Sequence, residues 1–177
     1  MERYADPSRV YHNLRHLADV LRRFDILVGE CADPVAVELA AWFHDAVCDV
    51  RRNDNEEASA DVARALLAPY ISADEVDEVA RLVLLTRDHA VDAGDANGAV
   101  LCDADLAILA SGSAAYYHYT ARVRREYAHV SDEDFRIGRA GALRRLLDLP
   151  NLFHTFYGLR SWEAPARANL EHELTTL

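Results

Sequence analysis

The chain contains no lysine: all nineteen basic side chains are arginine, against thirty aspartates and glutamates, for a net charge of −11. A field of that sign works against a polyanionic partner, so no nucleic-acid polymer is expected. A small phosphorylated molecule is not excluded, because a metal ion and a few arginines can invert the field locally. Cysteine is scarce and odd in number, with Cys31, Cys48 and Cys102 in no Cys-x-x-Cys spacing. This argues against a disulfide framework or a structural zinc cluster and places the chain in a reducing, cytoplasmic compartment. No apolar run approaches the ~20 residues of a bilayer span, and residues 1–6 do not read as a signal peptide, so no membrane partner is expected. β-branched residues are sparse and never alternate over a useful length, which removes strands. Repeats, low-complexity tracts and linkers are absent as well. What remains is one all-α domain over residues 1–177, a helical bundle of seven to nine helices.

Apolar spacing places those helices. Val10, Leu14, Leu17, Leu21, Phe24 and Val28 form one helical stripe, with Ser8 as its N-cap and Gly29 as its C-cap. On that helix His12 and His16, four apart, project from one side. A second helix opens at Asp33-Pro34 and runs through His44-Asp45 to about Val47; it is apolar nearly all round, so it is expected to be central. A third covers 56–67. Ser72 and Glu75 form a capping box for a fourth, whose stripe of Val79, Leu82, Val83 and Thr86 extends to His89. Residues 92–98 are a loop, and 99–110 are helical. Ser111-Gly112-Ser113 opens a long aromatic helix, Ser131 caps one ending near Pro150, and a last helix covers 163–174. The tyrosines 116, 117 and 119 read as packing rather than as a base-stacking platform.

The chemistry lies where polar groups interrupt apolar faces. His44-Asp45 breaks the run Ala40-Ala41-Trp42-Phe43 … Ala46-Val47, and a buried aspartate needs a partner. A His–Asp hydrogen bond, a buried arginine, or a metal held by both residues would each supply one. Asp103 and Asp105 cannot both face the core equally; Asp105 shares its side with Leu101, Ile108 and Leu109 and is expected inward, with Asp103 left open as the alternative. Two imidazoles and two carboxylates suit a borderline divalent ion such as Mn, Fe, Co, Ni or Zn, with Mg also in range. Such an ion acidifies water and polarises a phosphoryl oxygen.

The pattern His16 … His44-Asp45 … Asp105 resembles the H…HD…D signature of the HD-domain superfamily of metal-dependent phosphohydrolases. Several flanking runs are similar to one branch, the small stand-alone predicted metal-dependent HD phosphohydrolases. They are Arg9-Val10-Tyr11-His12-Asn13-Leu14-Arg15-His16, Trp42-Phe43-His44-Asp45, Asp54-Asn55-Glu56, Asp103-Ala104-Asp105-Leu106, Arg125-Glu126-Tyr127, Gly138-Arg139 and Ala168-Asn169-Leu170. The resemblance covers most of the chain and implies an all-α bundle of the HD-domain type. It also implies a metal held by His16, His44, Asp45 and Asp105. Members of the branch usually carry a longer stretch before the position of Tyr4, so whether one helix of their usual packing is present stays open.

The expected activity is hydrolysis of a phosphoester or phosphoanhydride in a small phosphorylated substrate, such as a nucleotide, by metal-activated water. Asp45 is then a catalytic candidate that also orients the water. Glu56 and His89 are further catalytic candidates, and Asp49 lies where relatives carry water-positioning acids. Arg9, His12 and Arg139 are substrate-binding candidates, the arginines because guanidinium grips phosphate in a bidentate manner. Two rivals stand beside this reading: a silent metal- or nucleotide-binding regulatory module, and a di-iron oxygenase that would recruit His12 and His89. One or two ions, and a monomer or a homo-oligomer, stay open.

Overall fold

Most helices in this chain begin where a side chain serves their free amides. The computed structural model describes residues 2–177; Met1, the first residue of the expected domain, lies outside the described residues. Nine α-helices and no strand occur among those residues, so the all-α expectation of seven to nine helices holds. They are α1 Leu14–Leu27, α2 Pro34–Phe43, α3 Asn55–Leu67, α4 Ala73–Leu85 and α5 Ala96–Leu106. They continue as α6 Ser113–Glu126, α7 Asp132–Leu147, α8 Phe156–Ser161 and α9 Glu163–Thr176, with 3-10 turns at Glu2–Ala5, Val28–Glu30 and Ala107–Ala110. Asp33 caps α2 through Val35 and Ala36 N–H, and Ser72 with Glu75 makes the reciprocal capping box of α4.

Helix α5 starts at Ala96, inside the expected 92–98 loop, and two further boundaries that differ from expectation shape the site. The first helix starts at Leu14, capped by Asn13 rather than Ser8, because Ser8 gives its N–H and hydroxyl to Asp6 in a local turn. His12 therefore lies outside α1 and does not share a helical face with His16. The second helix stops at Phe43, so His44 and Asp45 do not continue it. The carbonyls beyond it are captured by other elements: Arg9 Nη1 donates to Asp45 O at 2.6 Å and Nη2 to Ala46 O at 3.2 Å. Ser59, fully buried on α3, exchanges hydrogen bonds with both Val47 N and Val47 O.

The core is assembled on α2, which contacts α1, α3, α4 and α5. Its buried face is small (Ala36, Val37, Ala40 and Ala41), while Val35 and Trp42 are exposed. It is central because small residues let four helices approach it closely. Leu17, Val20, Phe24 and Leu27 of α1, Val79, Leu82 and Val83 of α4, and Val100 and Leu101 of α5 close around it. The 3-10 turn Ala107–Ala110 then joins this group to α6 and α9. No single helix among the described residues is long and apolar enough to cross a membrane.

Candidate metal centre

Four polar side chains meet where α1, the end of α2 and the end of α5 converge. His16, buried in the first turn of α1, and His44, buried at the end of α2, bring their Nε2 atoms to 3.1 Å. Asp105 Oδ1 lies 3.2 Å from His16 Nε2 and 3.8 Å from His44 Nε2. Asp45 Oδ2 lies 3.4 Å and 3.3 Å from the same two nitrogens. Ligands about 2.1 Å from one ion stand about 3.0 Å apart at right angles and about 3.4 Å apart in a tetrahedron, so every spacing but the 3.8 Å between His44 and Asp105 matches a common centre. His16, His44 and Asp105 form the compact group able to hold the ion.

Two details suit the cluster to holding a cation. His44 donates Nδ1–H to Ala41 O at 2.8 Å, which fixes the tautomer and leaves the Nε2 lone pair facing the centre. Asp45 Oδ2 is buried and accepts no hydrogen bond, although an orphaned buried carboxylate oxygen is costly. A cation at the centre removes that cost.

The electrostatics agree. Burial pushes the Asp45 carboxyl up, but the charges of His44 and His12 and the contact with His16 hold it well below the usual carboxylate range. Asp105 is likewise held low against its burial by His16 and His89. Burial pulls the His44 imidazolium down, yet Asp45 and Asp105 prevail and hold it up at about 9; His16 is raised for the same reasons. The site thus demands positive charge, and protons and metal compete for it. Since Nε2 of His44 ligates only when unprotonated, apparent affinity for an added divalent ion should rise about tenfold per pH unit between pH 7 and 9 for each proton displaced, read by metal titration at fixed ionic strength.

His89 does not extend α4. That helix ends at Leu85, and His89 adopts φ +54°, a left-handed backbone that is strained for a non-glycine residue. The strain directs Nε2 onto Asp105 Oδ2 at 3.0 Å, leaving Oδ1 for the centre. Asparagine tolerates this backbone but lacks the imidazole. His89→Asn should therefore keep the melting temperature and weaken metal affinity about 10–100-fold, checked by calorimetric unfolding alongside metal titration.

Of the two neighbouring aspartates, Asp105 is the one at the cluster, yet Asp103 is the more deeply buried. Asp103 is fully enclosed and accepts from His154 N–H, Thr155 N–H and Thr155 Oγ1, tying the segment before α8 to α5. The two do not face the core equally, as expected, but the order is corrected: both turn inward on different sides, and Asp103 rather than Asp105 is the fully buried one.

The remaining sequence candidates lie elsewhere. Arg9 is buried and spends its guanidinium on backbone carbonyls of residues 12, 45 and 46, so it shapes the site rather than offering a free phosphate clamp. Arg139 is paired in bidentate fashion with Glu173 at 2.7 and 2.9 Å and lies over the Tyr119 ring. Glu56 sits in the first turn of α3, 3.9 Å from Arg87, and makes no ion pair with the cluster. Asp49 holds the turn before α3 through Arg51 N–H and Asn55. His12 is bound to Glu126, which sequence reasoning quoted in a run without giving it a role. Glu126 accepts from Tyr11 N–H at 2.7 Å, His12 N–H at 3.2 Å and the His12 ring Nδ1. The available signal was an acid at the C-terminal end of a helix, against the macrodipole. Comparison with family models, with curated proteins and with solved structures found no match to this chain.

Proposed function

We propose that this chain is a metal-dependent phosphohydrolase that cleaves a small phosphorylated substrate. The observation that carries the reading is the orphaned Asp45 Oδ2 facing two imidazole nitrogens and Asp105. The resemblance to the HD signature at these four positions supports it. A divalent ion in such a nitrogen/oxygen set supplies a Lewis acid that acidifies water and polarises a phosphoryl oxygen. Asp45, at the centre itself, orients the attacking water. His89 fixes Asp105, Ala41 O fixes His44, and Arg9 fixes the turn that carries Asp45.

Beside the cluster, a cavity of about 450 Å³ is lined by Tyr11, His12, Tyr119, Tyr127 and Phe135. The Tyr11 ring stands 4.9 Å from His16 and 4.9 Å from Tyr119, so the cavity begins one ring from the centre. Arg139 on its wall is neutralised by Glu173, so the cavity favours the uncharged, flat part of a substrate such as a nucleotide, with the phosphate at the histidine end. The test is metal analysis of the purified chain followed by a phosphatase screen over nucleotides and other small phosphoesters with each divalent ion. His44→Ala and Asp45→Ala serve as controls. Activity that disappears in both variants is the expected result. Retained metal with unchanged activity in both would overturn the mechanism, and no turnover on any substrate would favour a silent binding module.

A further inference from the structure

A second set of donor atoms lies one ring away from the centre, and the reading above does not use it. His12, in the segment before α1, Cys48, in the turn after α2, and Glu126, at the end of α6, each offer one atom, and the three atoms lie within 4.8 Å of one another. They come from three separate elements, so no single stretch of chain accounts for their meeting. Glu126 is buried, and its Oε2 is held by the N–H groups of Tyr11 and His12, which aims Oε1 at the His12 ring. A cavity of about 270 Å³ opens on the group and is lined by Arg9, Cys48, Asp49, Glu126 and His129, giving access from solvent and a second imidazole on its wall. The His12 and His16 rings are in edge contact, with centroids 5.6 Å apart, so this set adjoins the first centre while sharing no donor with it.

From this geometry we infer a second, thiolate-containing metal site formed by His12, Cys48 and Glu126. One nitrogen, one sulfur and one carboxylate oxygen make a donor set for zinc, or for cobalt in its place, and discriminate against magnesium or calcium, which take oxygen ligands. The ion replaces the proton shared between His12 and Glu126, and the Cys48 thiol loses its own, so binding releases protons and leaves a site without excess charge. The site is independent of the phosphohydrolase reading, since none of its three donors belongs to the first centre.

The test uses the full chain under reducing, metal-free conditions, titrated with Co²⁺ and followed by absorption. Two equivalents are expected, one of them giving a thiolate-to-cobalt charge-transfer band in the near ultraviolet. Cys48→Ser should remove that band and one equivalent while sparing the other, and Glu126→Gln should weaken the same equivalent. His16→Ala should remove the other equivalent and leave the band. Uptake of a single ion without a thiolate band, or a band that survives in Cys48→Ser, would overturn the site. A band with one equivalent only, insensitive to His16→Ala, would support it and remove the first centre instead.

Discussion

Replacing His44 with alanine should strip the chain of divalent metal under conditions where the wild type retains it, and should lower the proposed phosphohydrolase turnover at least about a thousandfold, or roughly 4 kcal/mol of transition-state stabilisation. The size of the effect follows from where His44 stands. It is the group nearest to both His16 and Asp45, and its tautomer is set by a backbone carbonyl, so no neighbouring side chain can take over the ligand position. Its loss also leaves Asp45 and Asp105 with one imidazole between them, and two buried carboxylates then repel one another. Metal content by elemental analysis, with circular dichroism to establish folding, checks the result; full metal occupancy in a folded variant would remove the centre from consideration.

A second large effect lies outside the centre, on the other side of α5. Gly158 sits inside the short helix α8, where replacement of glycine by alanine ordinarily stabilises by up to about 1 kcal/mol. Here the sign should reverse. An added Cβ would lie 2.4 Å from Asp103 Oδ2, 2.8 Å from Phe153 Cβ and 2.9 Å from Thr155 Oγ1. None of these can yield cheaply: Phe153 is fully buried, and Asp103 and Thr155 are bound to each other. Overpacking together with loss of hydrogen bonds to a charged group should cost about 4 kcal/mol. For a chain of this size that is a fall of about 10 °C in melting temperature. Thermal unfolding measures it, and metal uptake by the folded variant should be unchanged because Asp105 is not involved.

The sequence made the helices legible wherever a local device starts them. The Ser72–Glu75 box, Asp33 before Pro34, and Ser131 ahead of three acids each act within a few residues, and each caps a helix. It failed where two local devices compete or where distant groups decide. Ser8 and Asn13 are both competent caps, and only the turn made by Asp6 takes Ser8 out of use. Nothing in Ala46-Val47 stops a helix; Arg9 and Ser59 stop it from outside. Helix α8 spans six residues, too few to show a period. Asp103 and Asp105 are chemically identical, and their roles follow from partners around residues 154–155 and at residue 89. The four residues around the centre could be named from the sequence because their spacing resembles a known signature. The residues that orient them could not, since orientation depends on contacts that a spacing does not encode.

The way Arg9 grips the turn after α2 also bears on time. That contact spans 36 residues, the His16–His44 contact spans 28, and the Glu126–Tyr11 contact spans 115. Contacts across such separations are expected to form late, with the centre completed on the native side of the folding barrier. An ion held there would then leave the rate of folding alone and slow unfolding. The lifetime of the folded chain, more than its speed of formation, would be what the ion changes.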